Sequence, residues 1–234
     1  MITTLPSVAV LAGGLATRLR HLTETIPKSM LKVAGEPFIT HQLRKLKEQG
    51  VHQVVLCLGY LGEQVETFVR GQKNYGLDIK YVYDGDKLLG TGGAIKHALD
   101  YLTDQFFVLY GDSWLEVDYR KIWKKFVSQD KSALMTIYHN EGKWDTSNVE
   151  MKENSIKLYS KKIRNKNMTH IDYGLSILTK TVFDDYLFDK DFDLSDIFEI
   201  LAIKGDLASF EVQERFYEIG SVVGLAELEE IISQ

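Results

Sequence analysis

The chain alternates between short, continuously apolar runs and longer segments in which apolar residues recur with helical spacing. Five apolar runs predict buried strands, at residues 7–12, 53–58, 78–83, 105–110 and 132–138. Apolar residues at i, i+3, i+4 and i+7 predict helices around residues 39–46, 62–70, 92–102 and 119–127. Strands and helices that alternate at this spacing form a mostly parallel sheet with helices on both faces. We therefore predict an α/β fold.

The second part of the chain follows this alternation less strictly. Its predicted elements are a hairpin over 148–152 and 155–158 with Glu153-Asn154 at the turn, a strand over 171–178, and helices near 180–187, 194–203 and 223–232. No internal repeat, low-complexity tract or flexible linker is present in the sequence. We expect one domain, residues 1–234, with an embellished C-terminal part.

A glycine pair follows the first predicted strand, in the segment Leu11-Ala12-Gly13-Gly14-Leu15-Ala16-Thr17-Arg18. Backbone N–H groups without a Cβ in the way, followed by a cation, suit the binding of a phosphate. The segment matches neither G-x-G-x-x-G nor G-x-x-x-x-G-K-[ST]. By itself it is also compatible with a tight turn between a strand and a helix.

Three further segments contain residues that are suited to binding a phosphate, a nucleoside or a metal ion. Pro27 restrains the backbone before Lys28, so that this lysine can present a fixed charge to a phosphate; an ordinary solvated lysine is the alternative. Leu89-Gly90-Thr91-Gly92-Gly93-Ala94 opens a helix and suits the close approach of a base or ribose, or a simple helix start. Tyr110-Gly111-Asp112 places a carboxylate after a strand, where open α/β sheets bind ligands and Mg²⁺ finds oxygen donors. An Asx turn or a helix cap is its alternative.

In this order, the four segments resemble those of the sugar-1-phosphate nucleotidyltransferases. The resemblance covers essentially the whole chain, and its later parts are Leu158-Tyr159-Ser160-Lys161, Asp172-Tyr173-Gly174-Leu175 and Phe216-Tyr217-Glu218-Ile219-Gly220-Ser221. Tyr83-Asp84-Gly85 precedes residues 89–94, which we call the second glycine segment. This arrangement resembles the sequences of the small bacterial branch that includes heptose-1-phosphate guanylyltransferases. The resemblance implies a Rossmann-like three-layer sandwich of the GT-A-like, nucleotide-diphospho-sugar transferase type.

The activity that this resemblance implies is the transfer of a nucleoside monophosphate from a nucleoside triphosphate to a sugar 1-phosphate, with release of pyrophosphate. GTP and D-glycero-D-manno-heptose 1-phosphate are the favoured substrates. The alternatives are UTP or dTTP with a hexose or N-acetylmuramic acid 1-phosphate, and a non-catalytic paralogue that senses a nucleotide sugar. A glycosyltransferase of similar topology is a further alternative, for which Asp191-Phe192-Asp193 is the D-x-D match.

The resemblance also implies site residues, with residues of about 1–138 binding the nucleotide and about 139–234 the sugar. It implies catalytic roles for Arg18, Lys28 and Asp112, and Mg²⁺ held by Asp112 and Glu218. Nucleotide contacts are expected from Leu11, Ala12, Gly13, Gly14, Thr17, Gly90, Thr91, Gly92 and Gly93. Sugar-phosphate contacts are expected from Asn148, Lys161, Tyr173 and Gly174. The chain departs from the family pattern at Ala16, Ser160 and Glu218, where many members have Gly, Glu and Asp.

Composition and charge narrow the class of protein further. The net charge of −5 and the lack of a long basic stretch argue against a nucleic-acid partner, and no apolar run approaches the roughly 20 residues of a membrane helix. With no signal-peptide pattern and a single cysteine, Cys57, in an apolar run, we expect a cytoplasmic protein that forms a homodimer if it follows its family. The first 117 residues carry 12 basic and 12 acidic side chains, so the whole excess of negative charge lies after them.

Overall fold

The computed structural model of the protein describes residues 4–14, 19, 23–140, 142–184 and 191–233. Its strands are β1 Val8–Leu11, β2 Lys32–Val33, β3 Glu36–Pro37, β4 Gln53–Leu58, β5 Asp78–Tyr83, β6 Gln105–Tyr110, β7 Ser113–Trp114, β8 Ala133–His139, β9 Val149–Lys152, β10 Ser155–Tyr159, β11 Met168–Thr179, β12 Leu207–Val212 and β13 Tyr217–Glu218. Its α-helices are α1 Phe38–Glu48, α2 Gly62–Gly71, α3 Gly90–Ala98, α4 Tyr119–Val127, α5 Leu194–Ile203 and α6 Val222–Ile232. None of these helices is long and apolar enough to cross a membrane.

Nine strands form one sheet, in the order β10-β9-β11-β6-β1-β4-β5, with β8 paired to β11 and β12 paired to β8. β4 and β6 run parallel to β1, β5 runs parallel to β4, and β12 runs parallel to β8. β11 is antiparallel to β6, β8 and β9, and β10 is antiparallel to β9. All strands except β10 and β11 therefore point in one direction, which confirms the predicted mostly parallel sheet.

Helices cover both faces of this sheet, because alternate residues of its strands point to opposite sides. On one face, Val8 and Val10 pack in a core with apolar side chains of α1, α2 and α4. On the other face, Ala9 packs in a second core with side chains of α3 and α5. The central strands β1, β4 and β6 are continuously apolar because they are buried on both faces. The three-layer α/β architecture is thus confirmed.

Several predicted elements differ from the structure in their extent. The predicted helix at 92–102 is α3 followed by a 3-10 turn at Leu99–Tyr101, and the predicted strand at 171–178 is the longer β11. The predicted helix near 180–187 starts as a 3-10 turn at Lys180–Phe183, and residues 185–190 lie outside the described residues. The strand β12 was missed, and so were the four two-residue strands β2, β3, β7 and β13.

Two irregularities of the second part shape the sheet locally. The predicted hairpin is β9–β10, and its turn residues Glu153 and Asn154 have φ angles of 50° and 61°, as a tight hairpin turn requires. In β11 the register against β8 shifts between Asp172 and Ser176, and Gly174 lies there at φ 98°. Such a bulge redirects neighbouring side chains. Asp172 and Tyr173 line a cavity beside it.

Candidate active site

A cavity of about 240 Å³ lies at the carboxyl ends of the parallel strands β1, β5 and β6. Its lining includes eight of the residues predicted from the sequence: Leu11, Ala12, Gly13, Gly14, Lys28, Gly90, Thr91 and Asp112. Open α/β sheets bind ligands at this edge. Two of the other predicted residues, Thr17 and Arg18, lie outside the described residues. We call this space the first cavity.

Lys28 and Asp112 form an ion pair in the wall of the first cavity. Lys28 begins a 3-10 turn directly after Pro27, whose φ of −64° and ψ of 148° turn the chain into it. The Lys28 Nζ donates a hydrogen bond of 2.6 Å to the Asp112 Oδ2. Both side chains are largely shielded, because 17% of Lys28 and 34% of Asp112 is exposed. A cation and a carboxylate are therefore held together where β6 ends.

The position of Asp112 depends on a close approach between two strand ends. The Gly111 N–H donates to the Leu11 carbonyl at 3.0 Å. A Cβ on Gly111 would lie 2.5 Å from that carbonyl oxygen and 3.0 Å from the Ala12 Cα. Because both are backbone atoms, no side-chain rotation relieves the overlap. Glycine at this position lets β1 and the segment that carries Asp112 come together.

We expect Gly111→Ala to lower the free energy of unfolding by about 1–3 kcal/mol, the usual cost of overpacking a core. Urea denaturation followed by circular dichroism measures this loss. Gly71→Ala is the matched control, since a Cβ there meets no atom within 4 Å and we expect a change below about 0.5 kcal/mol. Equal stabilities of the two variants would contradict the close approach.

The remaining glycines of the second glycine segment face another part of the protein. The N–H groups of Gly92 and Gly93 donate to the Phe192 carbonyl at 2.9 and 3.3 Å, and the Phe192 N–H donates to the Leu89 carbonyl at 3.1 Å. A Cβ on Gly92 would overlap the Phe192 ring. Neither glycine is among the described residues that line the first cavity. The lack of a side chain at Gly92 makes room for Phe192.

A second cavity, of about 670 Å³, adjoins the first and shares Tyr110 and Asp112 with it. The four residues predicted to contact the sugar phosphate, Asn148, Lys161, Tyr173 and Gly174, all line it. The Asn148 Oδ1 accepts a hydrogen bond from the Asp172 N–H, and the Asp172 Oδ1 accepts one from the Gly174 N–H. Burial raises the pKa of Asp172, against the opposing effects of this N–H and of Lys161.

Lys161 presents its ammonium group in the second cavity. Its Nζ lies 3.4 Å from the Asp193 Oδ1 and 5.6 Å from the centre of the Tyr110 ring. Asp193 also caps α5 by accepting the Ser195 N–H. Ser160, which departs from the family pattern, is fully buried, and its Oγ accepts the N–H groups of Lys162 and Ile163. This hydroxyl shapes the turn that carries Lys161.

Arg215 forms a rigid part of the same cavity wall. Its guanidinium carbon lies 3.5 Å from the centre of the Trp144 ring and 4.8 Å from that of Tyr217. Its Nη2 donates to the Glu227 Oε2 at 2.5 Å. Its Nε is buried and has no hydrogen-bond partner among the described residues. Cation–π contacts and the ion pair together fix the orientation of the group.

Glu218, the predicted second metal ligand, also lines the second cavity with Asp112. Its carboxylate accepts the Gly220 N–H at 2.5 Å and the Ser221 hydroxyl at 2.8 Å, which fixes it at the start of α6. The described residues contain no cluster of three or more potential metal ligands. Two carboxylates in one cavity suit a divalent cation that completes its coordination with waters and phosphate oxygens.

Comparison with known proteins gives the family. The family model described as nucleotidyl transferase matches residues 7–222. The chain belongs to the nucleotidyl transferase family. It is therefore an enzyme whose relatives transfer nucleotidyl groups, and the adjoining cavities are the candidate active site of this nucleotidyl transferase.

Two curated relatives and one solved protein are similar over large parts of this nucleotidyl transferase. It is 29% identical over 191 residues to the D-glycero-alpha-D-manno-heptose 1-phosphate guanylyltransferase of Campylobacter jejuni, covering 81% of this chain and 83% of that protein. The enzyme of the same name from Aneurinibacillus thermoaerophilus is 38% identical over 120 residues, or 51% of each chain. The crystal structure of HddC from Yersinia pseudotuberculosis has a TM-score of 0.82 at 26% identity, covering 97% of this chain and 100% of that chain. Its complex with GMP-PN has a TM-score of 0.80 at the same identity and coverage.

Some residues of this nucleotidyl transferase's cavities were not singled out by the sequence. Asp84 lies in the first cavity, and Trp144, Asp172 and Arg215 lie in the second. Asp84 and Asp172 each lie within a segment that carries the family resemblance, so the sequence could have indicated them as site residues. Trp144 and Arg215 carried none, because they meet only through contacts between distant parts of the chain.

Proposed function

We propose that the protein is a sugar-1-phosphate guanylyltransferase that joins GMP from GTP to a heptose 1-phosphate and releases pyrophosphate. The observation that carries this proposal is the pair of adjoining cavities that share Tyr110 and Asp112. A transfer between two bound substrates needs two sites that meet where the bond forms. The names of the relatives from Campylobacter jejuni and Aneurinibacillus thermoaerophilus support the choice of substrates.

In this proposal the nucleotide binds in the first cavity and the sugar in the second. In the segment Leu11–Gly14, the backbone of Gly13 and Gly14 suits phosphates, and Lys28 supplies a cation in the same cavity. Lys161 supplies the corresponding cation for the sugar phosphate. Residues of about 1–138 form the nucleotide part and residues of about 139–234 the sugar part, with Tyr110 and Asp112 at the boundary.

The reaction forms a bond between a sugar-phosphate oxygen and the α-phosphorus of GTP. The bond from that phosphorus to the bridging oxygen breaks, and pyrophosphate leaves with the electron pair. Because the nucleophile is already an anion, no general base is required. Catalysis then consists of positioning two polyanions and stabilising the charge that develops between them. Lys28 and Lys161 are suited to both tasks.

Asp112 and Glu218 would hold a divalent cation, and we propose Mg²⁺. Both groups are hard oxygen donors, and the hydrogen bonds from Gly220 and Ser221 keep Glu218 in place while leaving lone pairs available. When bound, the cation supplies positive charge that offsets the charge of the phosphates. Cytoplasmic location stays a prediction from the sequence, and a homodimer stays a prediction that the family resemblance implies.

A pyrophosphate-release assay tests the proposed function. We expect the highest kcat/KM for GTP with D-glycero-α-D-manno-heptose 1-phosphate, in a screen of GTP, ATP, UTP and dTTP against hexose, heptose and N-acetylmuramic acid 1-phosphates with Mg²⁺. The unphosphorylated sugars are the control and should give no release above background. A faster reaction with UTP or dTTP would contradict guanylyl transfer, and no release with any pair would contradict the proposed function.

A further inference from the structure

The carboxylate of Asp84 lines the first cavity but has no role in the proposed reaction. It directly follows β5, and its Oδ2 accepts a long hydrogen bond, 3.4 Å, from the Leu89 N–H. Burial raises its pKa, while the Leu89 N–H and His97 oppose this effect. The carboxylate thus lies partly shielded in the cavity wall, and the described residues use only a small part of its hydrogen-bonding capacity.

The surroundings of Asp84 suit a flat, largely apolar molecule. Leu88, Ala94 and the fully buried Cys57 line the same cavity. Burial raises the pKa of Cys57 to about 12, so its thiol adds no charge. Of the charged residues described in this lining, Lys28 and Asp112 pair with each other, which leaves Asp84 to act on a ligand alone.

The topology separates Asp84 from the phosphate-binding end of the cavity. Asp84 follows β5 and Asp112 lies just beyond β6, and the sheet order β6-β1-β4-β5 puts two strands between β6 and β5. Three strand spacings amount to about 14 Å. A nucleotide spans a distance of this order from the outer edge of its base to its phosphates. With the phosphates at Lys28, the base edge therefore falls near Asp84.

The hydrogen-bonding edges of the bases differ in what they offer a carboxylate. Guanine presents two adjacent donors, N1–H and the N2 amino group. Uracil and thymine present a single N–H between two carbonyl oxygens, and adenine and cytosine each present an amino group next to an unprotonated ring nitrogen. A carboxylate accepts two donors side by side and is repelled by lone pairs.

We propose that Asp84 selects guanine by accepting hydrogen bonds from the N1–H and the N2 amino group of GTP. This inference rests on the proposed function, since it needs the base of a nucleoside triphosphate in the first cavity. It assigns Asp84 a role in substrate choice, separate from the phosphate chemistry of Lys28 and Asp112.

Base analogues and one isosteric substitution test the role of Asp84. Inosine triphosphate differs from GTP by the missing N2 amino group, and we expect its kcat/KM with the wild-type enzyme to be about 10- to 100-fold lower. Asp84→Asn should lower kcat/KM for GTP by about 100-fold. The same variant should prefer xanthosine triphosphate to GTP, because the amide oxygen accepts N1–H and the amide N–H donates to the carbonyl at C2.

Asp86→Asn is the matched control, because Asp86 is an exposed carboxylate two residues away that is not among the described lining residues. We expect its kcat/KM for each triphosphate to stay within twofold of wild type. Isothermal titration of the three purine triphosphates, without sugar phosphate, provides a second readout that does not depend on knowing the acceptor. Thermal unfolding of Asp84→Asn checks that the fold is retained.

The possible outcomes separate this inference from the proposed function. If the wild-type enzyme uses GTP and Asp84→Asn keeps the wild-type order of GTP, inosine and xanthosine triphosphates, the role of Asp84 is wrong and guanylyl transfer stands. If Asp84→Asn binds xanthosine triphosphate more tightly than GTP in the titrations while no acceptor supports turnover, Asp84 recognises the base and the proposed transfer is wrong. If the wild-type enzyme prefers UTP or dTTP to GTP in the pyrophosphate-release screen, both are wrong.

Discussion

Lys28→Ala should lower kcat for pyrophosphate release by about 10³-fold, the range found when one fixed charge or donor is removed from a transition state. The Nζ of Lys28 is held 2.6 Å from Asp112, and only 17% of the side chain is exposed. Such a cation loses little energy to reorientation when negative charge develops on the transferred phosphate. Steady-state and single-turnover measurements of pyrophosphate release determine the loss.

Lys45→Ala is the matched control for this substitution. Lys45 forms an ion pair of the same length, 2.6 Å, with Glu116, and its side chain is 23% exposed. It is not among the described residues of either active-site cavity. We expect kcat within twofold of wild type for Lys45→Ala, and urea denaturation should show that both variants fold. Wild-type turnover by Lys28→Ala would rule out its assigned role.

The second large effect is expected from Asp112→Asn, which removes one negative charge and keeps the shape of the side chain. We expect kcat to fall by about 10³-fold, because the variant loses both a carboxylate for the divalent cation and the partner that orients Lys28. The Mg²⁺ concentration at half-maximal rate should rise, and binding of Mn²⁺ followed by electron paramagnetic resonance should weaken. Glu116→Gln removes the matching carboxylate of the control pair and should change neither quantity.

The double variant Lys28→Ala, Asp112→Asn tests whether the two side chains contribute to catalysis together or independently. If the two side chains act as a unit, the double variant is only slightly slower than either single variant, since the first substitution has already removed the shared function. Losses that multiply to about 10⁶-fold would mean that the two groups act independently. An unchanged Mg²⁺ dependence of Asp112→Asn would contradict its assignment as a metal ligand.

The central parallel strands were predictable because they are buried on both faces. β4 and β6 have the bounds that their apolar runs predict. The edge strand β5 also has the predicted bounds, although its Asp78 and Lys80 are exposed. β12 was missed because Ser209 and the exposed Glu211 interrupt its apolar residues. The two-residue strands β7 and β13 pair with each other across about 100 residues, and no local pattern records such a contact.

The candidate site was predictable where a short motif carries the chemistry. The segments with Gly13 and Asp112 meet in one cavity because they follow β1 and β6, which are neighbouring parallel strands with their carboxyl ends at one edge of the sheet. Lys28 lies there in the turn after Pro27 and pairs with Asp112. The wall formed by Trp144 and Arg215 was not predictable, because neither segment has a pattern of its own. The roles of the predicted residues stay predictions until the variants are measured.

The packing of Phe192 against Gly92 has a consequence for how this family varies. The space for the ring exists only while position 92 lacks a side chain, and the Phe192 carbonyl holds both glycine N–H groups. The two positions are therefore expected to change together during evolution, although 100 residues separate them. A relative with alanine at the first position should carry a smaller residue at the second. A search that treats the glycine motif as independent of its distant partner would overlook such relatives.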